Sequence, residues 1–184
     1  MGLLQPHGGH RDRDGEVPLN QPAALLRPTA LAGEGVLSGI ARRAFSKAPM
    51  EVLTSVLVTP ERGVEGDSRG VIKPGGRGKR QVSLMERADW DAAMAELGAD
   101  VPWWERRANL LVDGLDLPQA PGALIRIGPV LLTVTTECDP CRRMEAVAPG
   151  LEAALTPDWR GGALARVLEG GVVTLGDLIT IEEL

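Results

Sequence analysis

Apolar and polar residues follow one another in short runs along most of the chain, and glycine or proline separates the runs. Val36 to Ala41 predicts a first strand. After a break at Ala48-Pro49-Met50, Glu51 to Thr59 predicts a second, with Val52, Leu53, Val56, Leu57 and Val58 as its apolar positions. Gly63 to Gly70 is a turn-rich loop that holds Gly66-Asp67. Val82 and Leu84 alternate with Gln81 and Ser83, so Arg80 to Met85 predicts a half-buried strand. The period then changes. Trp90, Ala93, Met94 and Leu97 share one face at helical spacing, which predicts a helix over Glu86 to Leu97 with Gly98 as its C-cap. On that face Trp90 reads as core.

Pro102-Trp103-Trp104 opens a connection that runs through Arg106-Arg107-Ala108-Asn109 to a short strand at Leu110 to Val112 and a turn at Asp113-Gly114. Gly122 to Ile127 and the uncharged, β-branched run Val130 to Thr136 predict a hairpin across Gly128-Pro129. Arg142 to Leu155 predicts a helix interrupted at Pro149-Gly150. Ala163 to Glu169 and Val172 to Leu175, on either side of Gly170-Gly171, give a second hairpin signal, and Leu178 to Glu182 a last strand. Seven or more short strands, two helices and no long βαβ alternation predict a mainly β chain with flanking helices, its sheet closed or nearly closed into a barrel.

Composition bounds this picture. A chain of 184 residues suits one domain with an appendage, and 43% hydrophobic residues suffice for a core. Residues 1–35 hold six glycines, four prolines and no periodic apolar face, so a flexible tail is expected there and the ordered domain over 36–184. Both histidines, His7 and His10, fall in that tail, where a solvated segment is a simpler reading than a metal site. A net charge of −5 and a pI near 5.1 argue against general nucleic-acid binding. No apolar run of about 18 residues predicts a membrane span. The N-terminus lacks the pattern of a signal peptide. The expected compartment is a reducing cytoplasm, where two cysteines three apart are more often catalytic or metal-binding than structural.

Two stretches carry candidate chemistry. Arg69 to Arg80 holds Arg69, Lys73, Arg77, Lys79 and Arg80 with no acid, spaced by Gly70, Gly75, Gly76 and Gly78. Glycine-rich backbone brings N–H groups close to an anion, and the cations complement it. The loop is not a phosphate-binding P-loop, because Arg80 follows Gly78-Lys79 where Ser or Thr should stand. The other stretch is Cys138-Asp139-Pro140-Cys141, followed by Arg142 and Arg143. Pro140 favours a first helical turn and Asp139 an N-cap, so a strand is expected to deliver Cys141 to a helix start, where a thiolate is stabilised. A structural zinc site lacks its second ligand pair, and a cysteine hydrolase lacks a histidine in the ordered region. A dithiol redox pair and a single thiolate that carries sulfur or ligates a soft metal both remain open.

The order of these motifs is itself informative. Gly66-Asp67, Arg80-Gln81-Val82-Ser83-Leu84, Asn109-Leu110-Leu111-Val112-Asp113-Gly114, the segment from Gly128 to Pro140-Cys141, then Arg160-Gly161-Gly162 and Gly176-Asp177 together resemble the MOSC domain family, homologous to the C-terminal part of molybdenum-cofactor sulfurase. The resemblance spans about residues 36–184 and implies a β-barrel-like fold that binds or sulfurates the molybdenum cofactor (molybdopterin). Some members reduce N-hydroxylated compounds. It implies Cys141 as sulfur carrier or molybdenum ligand, and a cofactor site drawn from Asp67, Arg69, Lys79, Arg80, Arg107, Asn109, Arg142 and Arg160. Many members continue Gly-Asp with His-Gly-Gly, whereas Ser68-Arg69-Gly70 stands here. The chain carries no desulfurase domain with a pyridoxal-phosphate lysine, so the expected partners are a cysteine desulfurase or other sulfur donor and a redox protein, with no nucleic acid and no membrane. Two alternatives stand beside this: a dithiol redox protein using Cys138 and Cys141, and a cofactor-free binding module on the same fold.

Overall fold

The computed structural model describes residues 1–2, 33–72 and 74–182. The readings made for His7, His10 and Lys73 lie outside the described residues. Eleven strands dominate the described chain: β1 (Glu34–Arg42), β2 (Glu51–Leu53), β3 (Ser55–Thr59), β4 (Gly63–Val64), β5 (Val82–Glu86), β6 (Leu110–Asp113), β7 (Leu124–Ile127), β8 (Val130–Glu137), β9 (Ala163–Glu169), β10 (Gly171–Thr174) and β11 (Leu178–Glu182). Three α-helices, α1 (Arg87–Leu97), α2 (Arg143–Val147) and α3 (Leu151–Ala154), and two 3-10 turns, Trp103–Arg106 and Pro157–Trp159, complete it.

The sheet runs β11-β7-β8-β9-β5-β6-β1-β2, and β1 also pairs with β11. Setting β2 aside, seven strands therefore close into a barrel, mainly β with helices on its flank, as expected. Closure depends on the length of β1: its first residues pair with β11, its middle with β6 and its end with β2. Only β5 and β6 are parallel among the barrel pairs. A parallel pair needs a crossover, and α1 with the turn Trp103–Arg106 supplies it.

That crossover gives the barrel wall two buried faces. Val82, Leu84, Leu110 and Val112 point into a barrel core with Leu37, Ile125, Leu132 and Ile179. Met85 and Leu111 point outward and pack against Trp90, Ala93, Met94, Leu151 and Leu155 of the helices. Strands buried on both faces read as continuous apolar runs, and Leu110 to Val112 of β6 does. β5 carries Ser83 among its apolar residues, and the half-buried strand expected there is buried from Val82 to Met85, because the helices cover its outer face. Trp103 presses on β1 at Gly39, where an added Cβ would stand 2.5 Å from its ring.

Several expectations change on folding. β1 starts at Glu34, ahead of Val36. The run Glu51 to Thr59 divides at Thr54, because β2 joins the barrel through β1 while β3 joins a separate sheet, β10-β3-β4. The hairpin expected across Gly170-Gly171 does not form: β9 pairs with β8 and β5, and β10 pairs with β3. Side chains at the two glycines would meet Val58 O at 2.7 Å and Pro129 at 2.6 Å, so this glycine pair lets the chain step between sheets instead of folding back. The hairpin across Gly128-Pro129 forms as expected, with Ile127 opposite Val130. Asp139 is not a helix cap. Arg142 holds the N-cap position of α2, and Pro140 and Cys141 lie outside the helix. The preceding loop is held by Cys138 N donating to Gly162 O at 2.8 Å. Among the described residues no helix is long and apolar enough to cross a membrane.

Candidate functional site

Parallel pairing of β5 with β6 brings Ser83 beside Asn109 at the start of β6, and this pair seeds a buried polar layer. The Asn109 side-chain oxygen accepts from Ser83 N at 3.1 Å and Ser83 Oγ at 2.9 Å. Its amide nitrogen donates to Ala41 O at 3.2 Å and Asp67 Oδ2 at 3.1 Å. The carboxylate of Asp67, itself buried, also accepts from Arg43 N at 3.0 Å and Arg69 N at 2.8 Å. Asn109 and Asp67 thus spend their hydrogen bonds on the protein: they fasten the Gly66-Asp67 turn to β1 and β5. Gly66 has φ +78°, and a Cβ there would meet the Arg42 guanidinium at 2.6 Å, which explains glycine before the aspartate.

Arginines close over this layer. Arg43, Asp67, Arg69, Arg107 and Asn109 line one narrow cleft together with Met50. Ser68, Arg69, Val71 and Arg80 line an adjoining open one of about 490 Å³. Arg43 is 5% exposed, and its Nη1 is buried without a partner, as is Nη1 of Arg107. Among the described residues, no carboxylate lies within ion-pairing distance of Arg43, Arg69, Arg80, Arg107 or Arg143. Burial, then repulsion from Arg80 and Arg43, lowers the Arg69 guanidinium to about 10, with Asp67 opposing. Burial and then Arg107 lower that of Arg43, with smaller contributions from Arg143 and Arg80. One carboxylate, already committed, faces five cations. Such an arrangement lowers its energy by taking up an anion that fills the orphaned donors.

The thiols occupy unlike settings. Cys138 is buried at the end of β8, and Cys141 is exposed. Arg106, 6% exposed, donates through Nη2 to Cys138 O at 2.6 Å and Gly161 O at 2.8 Å, and stands 3.3 Å from Cys138 Sγ. Gly161 fits because a Cβ would collide with the Cys138 carbonyl. Arg106 thereby clamps the cysteine-bearing loop to the Gly161-Gly162 loop. The five-residue α2 begins two residues after Cys141 and offers that thiol no long helix dipole.

The folded chain gathers Asp67, Arg69, Arg80, Arg107 and Asn109, and electrostatics link Arg143, two residues after Cys141, to Arg43. It does not bring all the sequence candidates together. Lys79 lines a different cleft, with Arg77, Thr133, Thr135 and Arg166. Arg160 pairs with Glu96 of α1 at 2.7 Å, on the helical flank. Arg142 is exposed at the start of α2. Arg43 and Arg106 are functional candidates that sequence reasoning missed. Each belongs to an Arg-Arg pair, Arg42-Arg43 and Arg106-Arg107, in which adjacent side chains leave the backbone in different directions and one of the two is turned inward.

Fold and site define a small closed mixed barrel with an arginine-lined cleft and a cysteine-bearing loop at a strand end. The family model described as MOSC domain matches residues 61–180, and the chain belongs to that family. That span contains Asp67, Arg69, Arg80, Arg107, Asn109 and Cys141, but not Arg43. Among solved structures, the YuaD protein from Bacillus subtilis is similar at 17% identity and a TM-score of 0.63, covering 79% of this chain and 94% of that one. YiiM from Escherichia coli is similar at 17% identity and a TM-score of 0.59, covering 81% and 70%. YiiM from Geobacillus stearothermophilus is similar at 16% identity and a TM-score of 0.58, covering 81% and 73%. These likenesses concern the fold. No curated protein matches the sequence.

Proposed function

We propose that this MOSC protein binds the molybdenum cofactor in the arginine cleft and uses Cys141 as sulfur carrier or metal ligand. The observation that carries the reading is the pair of buried guanidinium nitrogens, Arg43 Nη1 and Arg107 Nη1, that lack partners beside a single committed carboxylate. The chemistry of that donor set suits a phosphate oxygen, since guanidinium forks bind phosphate through paired hydrogen bonds; the cleft itself, about 10 Å³, is water-sized, and the room for the rest of the group lies in the adjoining cleft of about 490 Å³. Arg43, Arg69, Arg80 and Arg107 hold the anionic end of the cofactor, while Asp67 and Asn109 hold the arginine-bearing turns in place. When bound, the cofactor supplies a sulfur-ligated metal capable of redox and of sulfur exchange. Cys141 is the thiol free to meet it or an incoming sulfur donor, because Cys138 is enclosed under Arg106. These unlike settings favour one working thiol over a symmetrical dithiol.

The test compares Cys141→Ser and Cys138→Ser after expression with molybdate. Each is assayed for molybdenum, for pterin fluorescence after oxidation, and for a persulfide by intact mass after incubation with a cysteine desulfurase. Cys141→Ser loses the persulfide or the metal and keeps its fold; Cys138→Ser retains most of both. Equal loss in the two variants would support the dithiol reading. Wild-type protein devoid of molybdenum, pterin and persulfide would leave a cofactor-free binding module.

A further inference from the structure

The glycine-rich loop serves two clefts. On the flank away from Arg69, an open cleft of about 280 Å³ is lined by Arg77, Lys79, Thr133, Val134, Thr135 and Arg166. Thr133 and Arg166 are direct cross-strand partners on β8 and β9, which puts hydroxyl and guanidinium side by side on the barrel wall. Thr135 sits at the register shift of β8, and its Oγ lies 2.5 Å from Lys79 O and 3.0 Å from Leu164 O. That bulge therefore ties the end of the loop to the barrel and sets Lys79 against the wall. Among the described residues, none of Arg77, Lys79 and Arg166 has a carboxylate within ion-pairing distance. In a chain of net charge −5, three unpaired cations converge on one concavity with two hydroxyls beside them.

We infer that this cleft is a second anion site that takes the phosphate group of a small phosphorylated ligand. The groups on its side chains that remain free to donate are the three cations and the Thr133 hydroxyl, while the Thr135 hydroxyl is spent on backbone carbonyls. Such a donor set suits a tetrahedral oxyanion. Its volume is enough for a small phosphorylated molecule. It differs from the Arg43 cleft in kind. Its cations stand in solvent, so its binding is screened by salt, whereas the buried guanidiniums of the other cleft are screened much less. The inference is independent of the cofactor reading, because Lys79, Arg77 and Arg166 lie outside the cluster assigned to it.

The experiment is amide chemical-shift mapping of the isotope-labelled full chain titrated with inorganic pyrophosphate at low ionic strength. Saturable shifts are expected at Thr133, Thr135 and Arg166. The double variant K79E/R166E should weaken that midpoint by about tenfold or more, and R166Q by less. Shifts around Arg107 and Asn109 should keep their wild-type midpoint in both variants. Both substituted side chains, Lys79 and Arg166, are at the surface, and wild-type spectra elsewhere confirm the fold. Shifts at Thr133 and Thr135 that fail to saturate, that are missing in the wild type, or that survive K79E/R166E unchanged overturn the inference.

Discussion

Asn109 and Arg80 both border the arginine-rich region, but they belong to it in different ways. Asn109 is buried, and every polar atom of its side chain is bonded to protein, reaching Ser83, Ala41 and Asp67. Arg80 is exposed at the end of the glycine-rich loop, with no carboxylate partner among the described residues. The first kind of residue sets where the site is; the second kind leaves its charge available. Polarity near a cleft is thus no measure of ligand contact: the buried layer is scaffold, and the unpaired guanidiniums are the donors left over for the proposed ligand.

Breaking the scaffold should have the largest effect. Asn109→Ala strands the Ser83 amide and removes one of the two donors to Asp67 Oδ2 in a buried layer, and is expected to cost about 2 kcal/mol in denaturant unfolding, within the roughly 1–3 kcal/mol of an unsatisfied buried group. Arg80→Ala should stay within about 0.5 kcal/mol of wild type, as exposed positions do. Equal effects from the two would dissolve the distinction.

The Arg106 clamp comes next. Arg106→Met removes donors to two buried carbonyls and should destabilise by about 2 kcal/mol. It should also change thiol accessibility. In native wild type, a thiol reagent modifies Cys141 quickly and Cys138 only on unfolding, whereas in Arg106→Met both react in the native state. Two fast thiols in wild type would show that Cys138 is not enclosed.

A smaller effect is expected from Glu86, which accepts from Leu117 N at 2.7 Å. Burial, opposed by that hydrogen bond, raises its carboxyl from 4.5 to about 7. Between those values the folded state binds more protons than the unfolded one, so this group lowers stability as pH rises from 4.5 to about 7. Glu86→Gln should flatten that decline and leave stability near pH 4.5 almost unchanged. A variant with the wild-type pH slope would assign the decline to other groups.

The strands were legible in the sequence wherever local pattern and tertiary partner agreed. Val130 to Thr136 and its hairpin through Gly128-Pro129 are of this kind. Gly170-Gly171 was not, because a hairpin signal says that the chain can turn, and only the position of β3 decides that it crosses to another sheet. The site was legible in part for the same reason. Asp67, Arg69, Arg80, Arg107 and Asn109 stand in motifs of recognisable spacing. Arg43 meets them only because β1 pairs with β6 and ends beside the Gly66-Asp67 turn. Local charge could not separate Lys79 from Arg80, although the loop sends them to different clefts. Nor could it show that Glu96 engages Arg160.

The most direct test of the central claim compares wild type with Arg107→Ala and Arg43→Met, expressed with molybdate and matched for folded protein by their thermal transitions. Molybdenum and pterin are measured per mole of chain. The arginine cleft predicts bound cofactor in wild type and about a tenfold or greater loss in each variant, since each removes one of the cleft's two buried, unpartnered Nη1 atoms. Cofactor retained in both variants at the wild-type level would contradict it.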